Sequence, residues 1–350
     1  MFSFASNAVL SKARAMYGKR IKEKNYNELL NCKSVTEVAL YLKRKTTYED
    51  VLQVMDESDI HRGKLEEILR QQLFYDFARL GRYDLSVGEK FFSYLISRAE
   101  IEKIMHSLMF FKSEKSGTYT YPLPPIFENH TKIDFYKLSD IKNYDDFLDA
   151  VKNSPYYKIL IPLRPEPDSE VDLTKLETVL YTYLYKIMFD IINENLKGTY
   201  RAEMKDLFNS YIDLSNLVRI IRMKTNYNLS KEYIFSSLLR FGTLKKQQIE
   251  KFIESKDFEH MIKDIENTRI AKKWLGEKNG INNNGKIDDN APKNMRFKKC
   301  THYIRFSKSP PVVLMSYIFL KEIELLNITN IIEGIRYNVA VDEIKKILIR

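Results

Sequence analysis

The chain has 350 residues, 44% of them hydrophobic and 30% charged, with a formal net charge of +10 at pH 7. This composition fits a soluble globular protein with room for two or three domains and excludes a disordered chain. Eleven glycines and ten prolines among abundant Leu, Ile, Lys and Glu favour helices over sheet, and two cysteines, Cys32 and Cys300, exclude a disulfide framework or a four-ligand zinc set.

In chain order, residues 5–20 are predicted as a first helix, stopped by Gly18. Residues 26–30 read as a short helix. Ser34-Val-Thr-Glu37 has the form of a capping box, in which a hydroxyl and a carboxylate satisfy free amides at a helix start. The helix it opens ends near Thr46, and residues 48–52 close the unit. Residues 58–80 form a long amphipathic helix with Leu65, Leu69, Leu73 and Phe77 on one face. Residues 86–112 form another, with Phe91, Leu95, Ala99, Met105, Leu108 and Met109 expected inside.

Residues 116–130 are a linker of turn residues and prolines. Short helices are predicted over 137–160, broken by Pro162, Pro165 and Pro167. Residues 171–195 and 201–226 are two further long helices, followed by shorter ones at 230–240, 244–254 and 258–265. Trp274 ends an ordered segment, and 276–292 is a polar mobile loop. Residues 309–338 then form a long helix opened by Pro310 and Pro311, since proline is tolerated only in a first turn. It is too charged to span a membrane. It reads as a buried helix with one wet stripe, Lys321, Glu322, Glu324, Asn327, Asn330, Glu333 and Arg336. Residues 341–350 form a short terminal helix.

An internal repeat organises these elements. Lys64-Leu65-Glu66 recurs as Lys175-Leu176-Glu177, 111 residues on, and Leu69 and Leu73 fall on Leu180 and Leu184. Glu37 to Tyr48 matches Asp146 to Tyr157 in spacing. Asn216-Leu-Val-Arg219-Ile-Ile matches Asn327-Ile-Thr-Asn330-Ile-Ile, again 111 apart. The expectation is an all-α protein of three similar helical modules, 1–115, 116–228 and 229–350. The third is read as damaged, with the mobile loop and the stretch 297–306 standing where its first long helix belongs.

Catalytic patterns are absent. The five histidines, His61, His106, His130, His260 and His302, are scattered and form no HExxH pair. No Gly-rich loop ends in Gly-Lys-Ser/Thr, and no G-x-S-x-G elbow occurs. In the Asn-rich loop, a calcium alignment on Gly285 puts Gly280 and Ala291 where carboxylates belong. No cofactor and no metal site are expected. With only two cysteines a reducing cytoplasm fits best, and the N-terminus lacks the charged-then-apolar order of a signal peptide. The positive charge permits nucleic acid, anionic lipid or an acidic protein surface as partner and selects none of them.

Three long helices carry polar residues inside apolar stretches: Glu100, Glu102 and His106; Asp213, Asn216, Arg219 and Arg222; Glu322, Glu324, Asn327 and Asn330. In a simple bundle each stripe faces water. Around a common axis the stripes line a shared cavity that grips a partner by hydrogen bonds and charge pairs.

Taken together these segments resemble a known family. The helix with Ala13-Arg14-Ala15-Met16, the unit Tyr26-Asn-Glu-Leu-Leu30 and the segment from Ser34 to Tyr48 stand in its order. So do Asp213, Asn216, Leu217, Ile220, Arg222 and Lys224, and then Tyr317, Lys321, Glu322, Glu324, Asn327, Ile328 and Ile331. Nearly the whole chain is similar to the C/AC39 family of central-stalk proteins of V/A-type rotary ATPases, whose eukaryotic member is named d. The Asn-rich insertion at 276–292 is the one departure. The resemblance implies a funnel of three pseudo-equivalent helical domains about a pseudo-threefold axis, without catalytic residues. It implies a place on the cytoplasmic face of the membrane rotor ring, with the foot of the central axle held in the funnel and torque passed between them. Axle subunits, the proteolipid ring and other ATPase subunits are then the expected partners, with the three stripes as socket, and nucleic acid is not. A helical-repeat scaffold or nucleic-acid binder is the alternative.

Overall fold

The computed structural model describes residues 2–53, 60–81, 88–112, 130–166, 169–268 and 288–350. Every regular element among them is helical: α1 (Phe2–Gly18), α2 (Glu23–Leu30), α3 (Val35–Lys45), α4 (Glu49–Leu52), α5 (Arg62–Gly81), α6 (Gly88–Lys112), α7 (Phe135–Ser139), α8 (Tyr144–Ala150), α9 (Tyr156–Leu160), α10 (Leu173–Asn195), α11 (Gly198–Thr225), α12 (Lys231–Ser236), α13 (Lys246–Glu254), α14 (Phe258–Glu266), α15 (Ala291–Phe306), α16 (Pro310–Arg336) and α17 (Val341–Ile347). A 3₁₀ turn, Ile161–Leu163, holds Pro162. The linker predicted at 116–130 lies outside the described residues except for His130. Pro167, Trp274 and residues 276–287 of the predicted loop also lie outside them.

The helix starts follow local chemistry. The Ser34 hydroxyl accepts from Glu37 N at 3.1 Å while the Glu37 carboxylate accepts from Lys33 N at 2.7 Å, so the predicted capping box forms one residue wider than the standard pattern. Asn143 and Asp146 repeat it at α8, with Asp146 N donating to Asn143 and Lys142 N to Asp146.

The chain divides into two compact units. One contains the described residues before 93 and from 296 onward; the other contains those from 93 through 295. In the first, α16 is the central element and packs on α1, α2, α3, α5 and α17. Its N-terminal half, from Val312 to Phe319, is buried all round. Further along, Ile328, Ile331 and Ile332 join Leu29, Leu42, Leu52 and Leu65 in one core. Gly334 lets α17 come close: a Cβ there would overlap the Ile344 side chain. In the second unit α11 is central. Leu214, Leu217, Ile220 and Ile221 pack on Ile234, Phe252 and Met261. Phe208 meets Tyr94, Tyr185 and Phe189 edge-on, with ring centroids 5.8 to 6.4 Å apart.

Three expectations need correction. The stretch 297–306, read as a damaged segment, is the C-terminal part of a regular 16-residue helix, α15, and Ala291 and Pro292 already belong to that helix rather than to the loop. Pro292 stands in its first turn, where a missing amide hydrogen breaks no bond. Met109 is 51% exposed rather than buried. The stripe on α16 is not wet along its length: Lys321, Glu324 and Asn327 are buried, Glu322, Asn330 and Glu333 are half-buried, and only Arg336 is exposed.

Candidate partner-binding site

The residues proposed from sequence as a socket divide into an inner and an outer set. The inner set bonds within its own unit. Glu324 on α16 accepts from Ile21 N at 2.8 Å, from the Tyr48 hydroxyl at 2.9 Å and from Lys321 Nζ at 2.7 Å. Lys321 Nζ also lies 4.0 Å from the centre of the Tyr48 ring, so the buried cation has both a carboxylate and a π face. Asn327, one turn on, holds Ile349 at both ends: its Nδ2 donates to Ile349 O at 2.8 Å and its Oδ1 accepts from Ile349 N at 2.9 Å.

The same arrangement recurs 111 positions earlier in the second unit. Asp213 on α11 accepts from Thr243 N, the Thr243 hydroxyl and Leu244 N at 2.7 to 3.1 Å. Gly242 turns the backbone beneath it at φ +114°, and a Cβ there would overlap the carboxylate. Asn216 clamps Leu239, donating to its O and accepting from its N, both at 2.9 Å. Arg219 donates to Glu177, to Thr178 and to Ser237 O. On α6, Glu100 accepts from the Thr131 hydroxyl at 2.6 Å and the Tyr156 hydroxyl at 2.7 Å.

Each of these three carboxylates therefore receives donors from the short-helix cluster that follows a predicted module boundary, or, for Glu324, from the cluster at the start of the chain. Desolvation keeps Tyr48 and Tyr156 protonated, with the neighbouring carboxylate pushing in the same direction, so both remain donors far above neutral pH. Burial also raises the Glu100 carboxyl, which the Thr131 and Tyr156 hydroxyls partly offset.

The outer set is Glu102, His106, Arg222, Glu322 and Asn330. Arg222 has a side chain 53% exposed, 3.9 Å from Asp289. Glu102, His106, Glu322 and Asn330 are half-buried, and Glu102 pairs with Arg98 at 3.3 Å. These side chains are accessible to a second protein; Glu100, Asp213, Asn216, Glu324 and Asn327 are not.

Sequence reasoning missed a fourth run of the repeat. Residues 226–240, NYNLSKEYIFSSLLR, and 336–350, RYNVAVDEIKKILIR, match without a gap at an offset of 110. The clamped Leu239 and Ile349 are equivalent in it, as are the buried Ile234 and Ile344. Asn228 and Asn338 are also equivalent, and both are left-handed, at φ 46° and 52°, just beyond the ends of α11 and α16. The tyrosines before them are exposed, Tyr227 by 58% and Tyr337 by 65%, and Leu229 and Val339 after them are exposed as well. The spacing alone pairs Tyr48 with Tyr157, whereas the buried donor in the structure is its neighbour Tyr156.

Other chemistry is sparse. Among the described residues no group of three or more His, Cys, Asp and Glu side chains is placed to hold a metal ion. No helix among them is long and apolar enough to cross a membrane. Burial pushes the Cys300 thiol up to about 12 and also raises Cys32, so neither is a ready thiolate.

A family model described as ATP synthase (C/AC39) subunit matches residues 9–347. A curated relative, the C subunit of the A-type ATP synthase of Methanosphaera stadtmanae, is 25% identical over 97% of this chain and 86% of its own length. The corresponding A-type ATP synthase protein of Pyrococcus abyssi is 24% identical over 60% of this chain, and the match spans 56% of that protein.

Proposed function

We infer the function from one premise: the chain belongs to the ATP synthase (C/AC39) subunit family. We propose that it is the central-stalk subunit of a V/A-type rotary ATPase. In this role it sits on the cytoplasmic face of the membrane rotor ring and holds the foot of the axle. It carries torque between them during ATP-driven or ATP-forming proton or sodium translocation, and performs no chemistry itself. The observation that carries the reading is the extent of the family match, nearly end to end.

The geometry supports a mechanical part. A torque adaptor has to resist deformation, and the inner carboxylates and asparagines tie long helices to short-helix clusters through multiple hydrogen bonds each. We read the recurrence of these ties as support for three modules about a pseudo-threefold axis in a funnel. Axle contact is assigned to the outer set, Glu102, His106, Arg222, Glu322 and Asn330, because a charged rim sets register and orientation. The exposed corners Tyr227-Asn228-Leu229 and Tyr337-Asn338-Val339 suit a partner that presents one surface repeatedly, as a ring of identical subunits does.

The test is a pull-down of the tagged chain from native membranes, with the eluate identified by mass spectrometry. Head subunits, a coiled-coil axle protein and a small proteolipid are expected. Recovery of unrelated proteins or RNA without ATPase subunits would sink the reading.

A further inference from the structure

A concave pocket of about 210 Å³ opens between the end of α1, the start of α2 and the end of α3. Its wall carries Lys19, Arg20, Lys22 and Lys45 together with Asn25 and Thr46. Lys19, Lys22 and Lys45 are exposed, and among the described residues none of the three makes an ion pair. The nearby carboxylates are engaged elsewhere: Glu23 with Arg350, Glu28 with Lys24, and Glu324 with Lys321 and Tyr48.

The neutral side chains of the pocket are engaged within the protein. Lys22 N donates to Asn25 Oδ1, and Asn25 Nδ2 donates to the Tyr41 hydroxyl. Thr46 Oγ1 donates to Leu42 O and accepts from Tyr48 N. Lys19 N and Arg20 N are bonded to Met16 O and Tyr17 O. Arg20 spends one N–H on Tyr17 O and lays its guanidinium 4.2 Å from the centre of the Tyr17 ring. What remains on the side chains is a set of cationic donors, the three ammonium groups and the rest of the guanidinium, and no carboxylate lines the pocket. The loop that carries Lys19, Arg20 and Lys22 is fixed from below, because Ile21 N is bonded to the buried Glu324, and Lys45 ends a helix. A fixed backbone keeps the bases of these side chains from having to rearrange when an anion arrives.

We propose that this pocket binds a phosphate-type anion, either free or as the phosphomonoester headgroup of a lipid. A phosphomonoester brings about −1.5 to −2 charges and three acceptor oxygens, which matches four cationic side chains lining one pocket. The volume is below the roughly 300 Å³ at which sites for drug-sized ligands begin, so the pocket itself takes a phosphate with a few attached atoms.

The experiment uses the full chain. Pyrophosphate is titrated by calorimetry, and phosphatidylcholine vesicles with and without phosphatidic acid are tested by flotation. Lys19→Gln, Lys22→Gln and Lys45→Gln are combined in one variant. A control removes the same charge elsewhere with Lys152→Gln, Lys158→Gln and Lys197→Gln, all exposed. Saturable binding is expected, weakened about tenfold or more in the pocket variant and changed less than about twofold in the control. Binding of pyrophosphate identifies a free phosphate as the source, and binding only to phosphatidic acid vesicles identifies a headgroup. Lys45→Gln alone, a single surface change, is expected to give a smaller loss in the same direction. Absence of binding to either probe, or equal losses in both triple variants, overturns the proposal.

Discussion

Asn216 and Asn327 each use both ends of one amide to hold a backbone segment that lies outside any helix. Removing such a side chain strands one buried N–H and one buried C=O. At about 1–3 kcal/mol for each unsatisfied group, Asn216→Ala or Asn327→Ala is expected to cost roughly 2–5 kcal/mol, read as a fall in the urea midpoint with unchanged slope. Arg222→Glu, at an exposed position on the same helix as Asn216, is expected to shift stability by no more than about 0.5 kcal/mol. A different sign applies at Glu100, whose folded carboxyl lies above its ordinary value of 4.5 because it is buried. The folded state keeps a proton that the unfolded chain has already released. Ionisation therefore removes stability as pH rises from the ordinary value through the raised one. Glu100→Gln has no such ionisation, so its stability relative to the natural chain is expected to be higher at pH 7 than at pH 4. Denaturant midpoints of both proteins at the two pH values check this, and a difference that does not move with pH counts against it.

At the scale of elements, the long helices were legible because apolar residues recur with the helical period over many turns, and Ser34 and Glu37 mark a helix start unambiguously. α15 was not legible. Its sequence, APKNMRFKKCTHYIRF, is dense in lysine and arginine and follows an Asn-rich run, so its few inward residues, such as Cys300 and Ile304, make a weak periodic signal. The candidate site was half legible. The offset of 111 paired Asn216 with Asn327, and the stripes included Asp213 and Glu324, but a polar residue in an apolar helix looks the same whether it meets water or a buried partner. What settles the matter is the donor, and Thr243 and Ile349 lie 30 and 22 residues away. Gly242 offers a test at this scale. It combines φ +114° with a carboxylate where a Cβ would stand, so Gly242→Ala is strained and displaces Asp213 from its three donors. A loss of about 2–4 kcal/mol is expected, whereas Gly18→Ala, with open space around it, is expected to be near neutral. Equal effects of the two substitutions on the thermal midpoint would remove Gly242 from the anchoring of α11.

For the whole molecule, the net charge of +10 makes nucleic-acid binding the rival to the stalk reading, and ionic strength separates them. A protein held by six to ten phosphate contacts loses about 10³–10⁵ in affinity between roughly 50 and 200 mM salt, because each contact releases a counterion. An axle seated against a helical body is held by apolar packing as well as by rim charges, and screening acts only on the latter. Co-purification with ATPase subunits is therefore expected to survive about 200 mM salt, and any retained RNA is expected to wash away in the same step. Within that complex the outer residues carry the contrast. Arg222→Glu combined with Glu322→Lys keeps the net charge, leaves every inner hydrogen bond in place and reverses two charges at the assigned contact. The variant is expected to keep the thermal midpoint of the natural chain and to lose about tenfold or more in affinity for the isolated axle subunits, measured by calorimetry at fixed salt. Unchanged affinity moves the axle contact off these helices. A lost fold shows instead that Arg222 and Glu322 belong with the inner set.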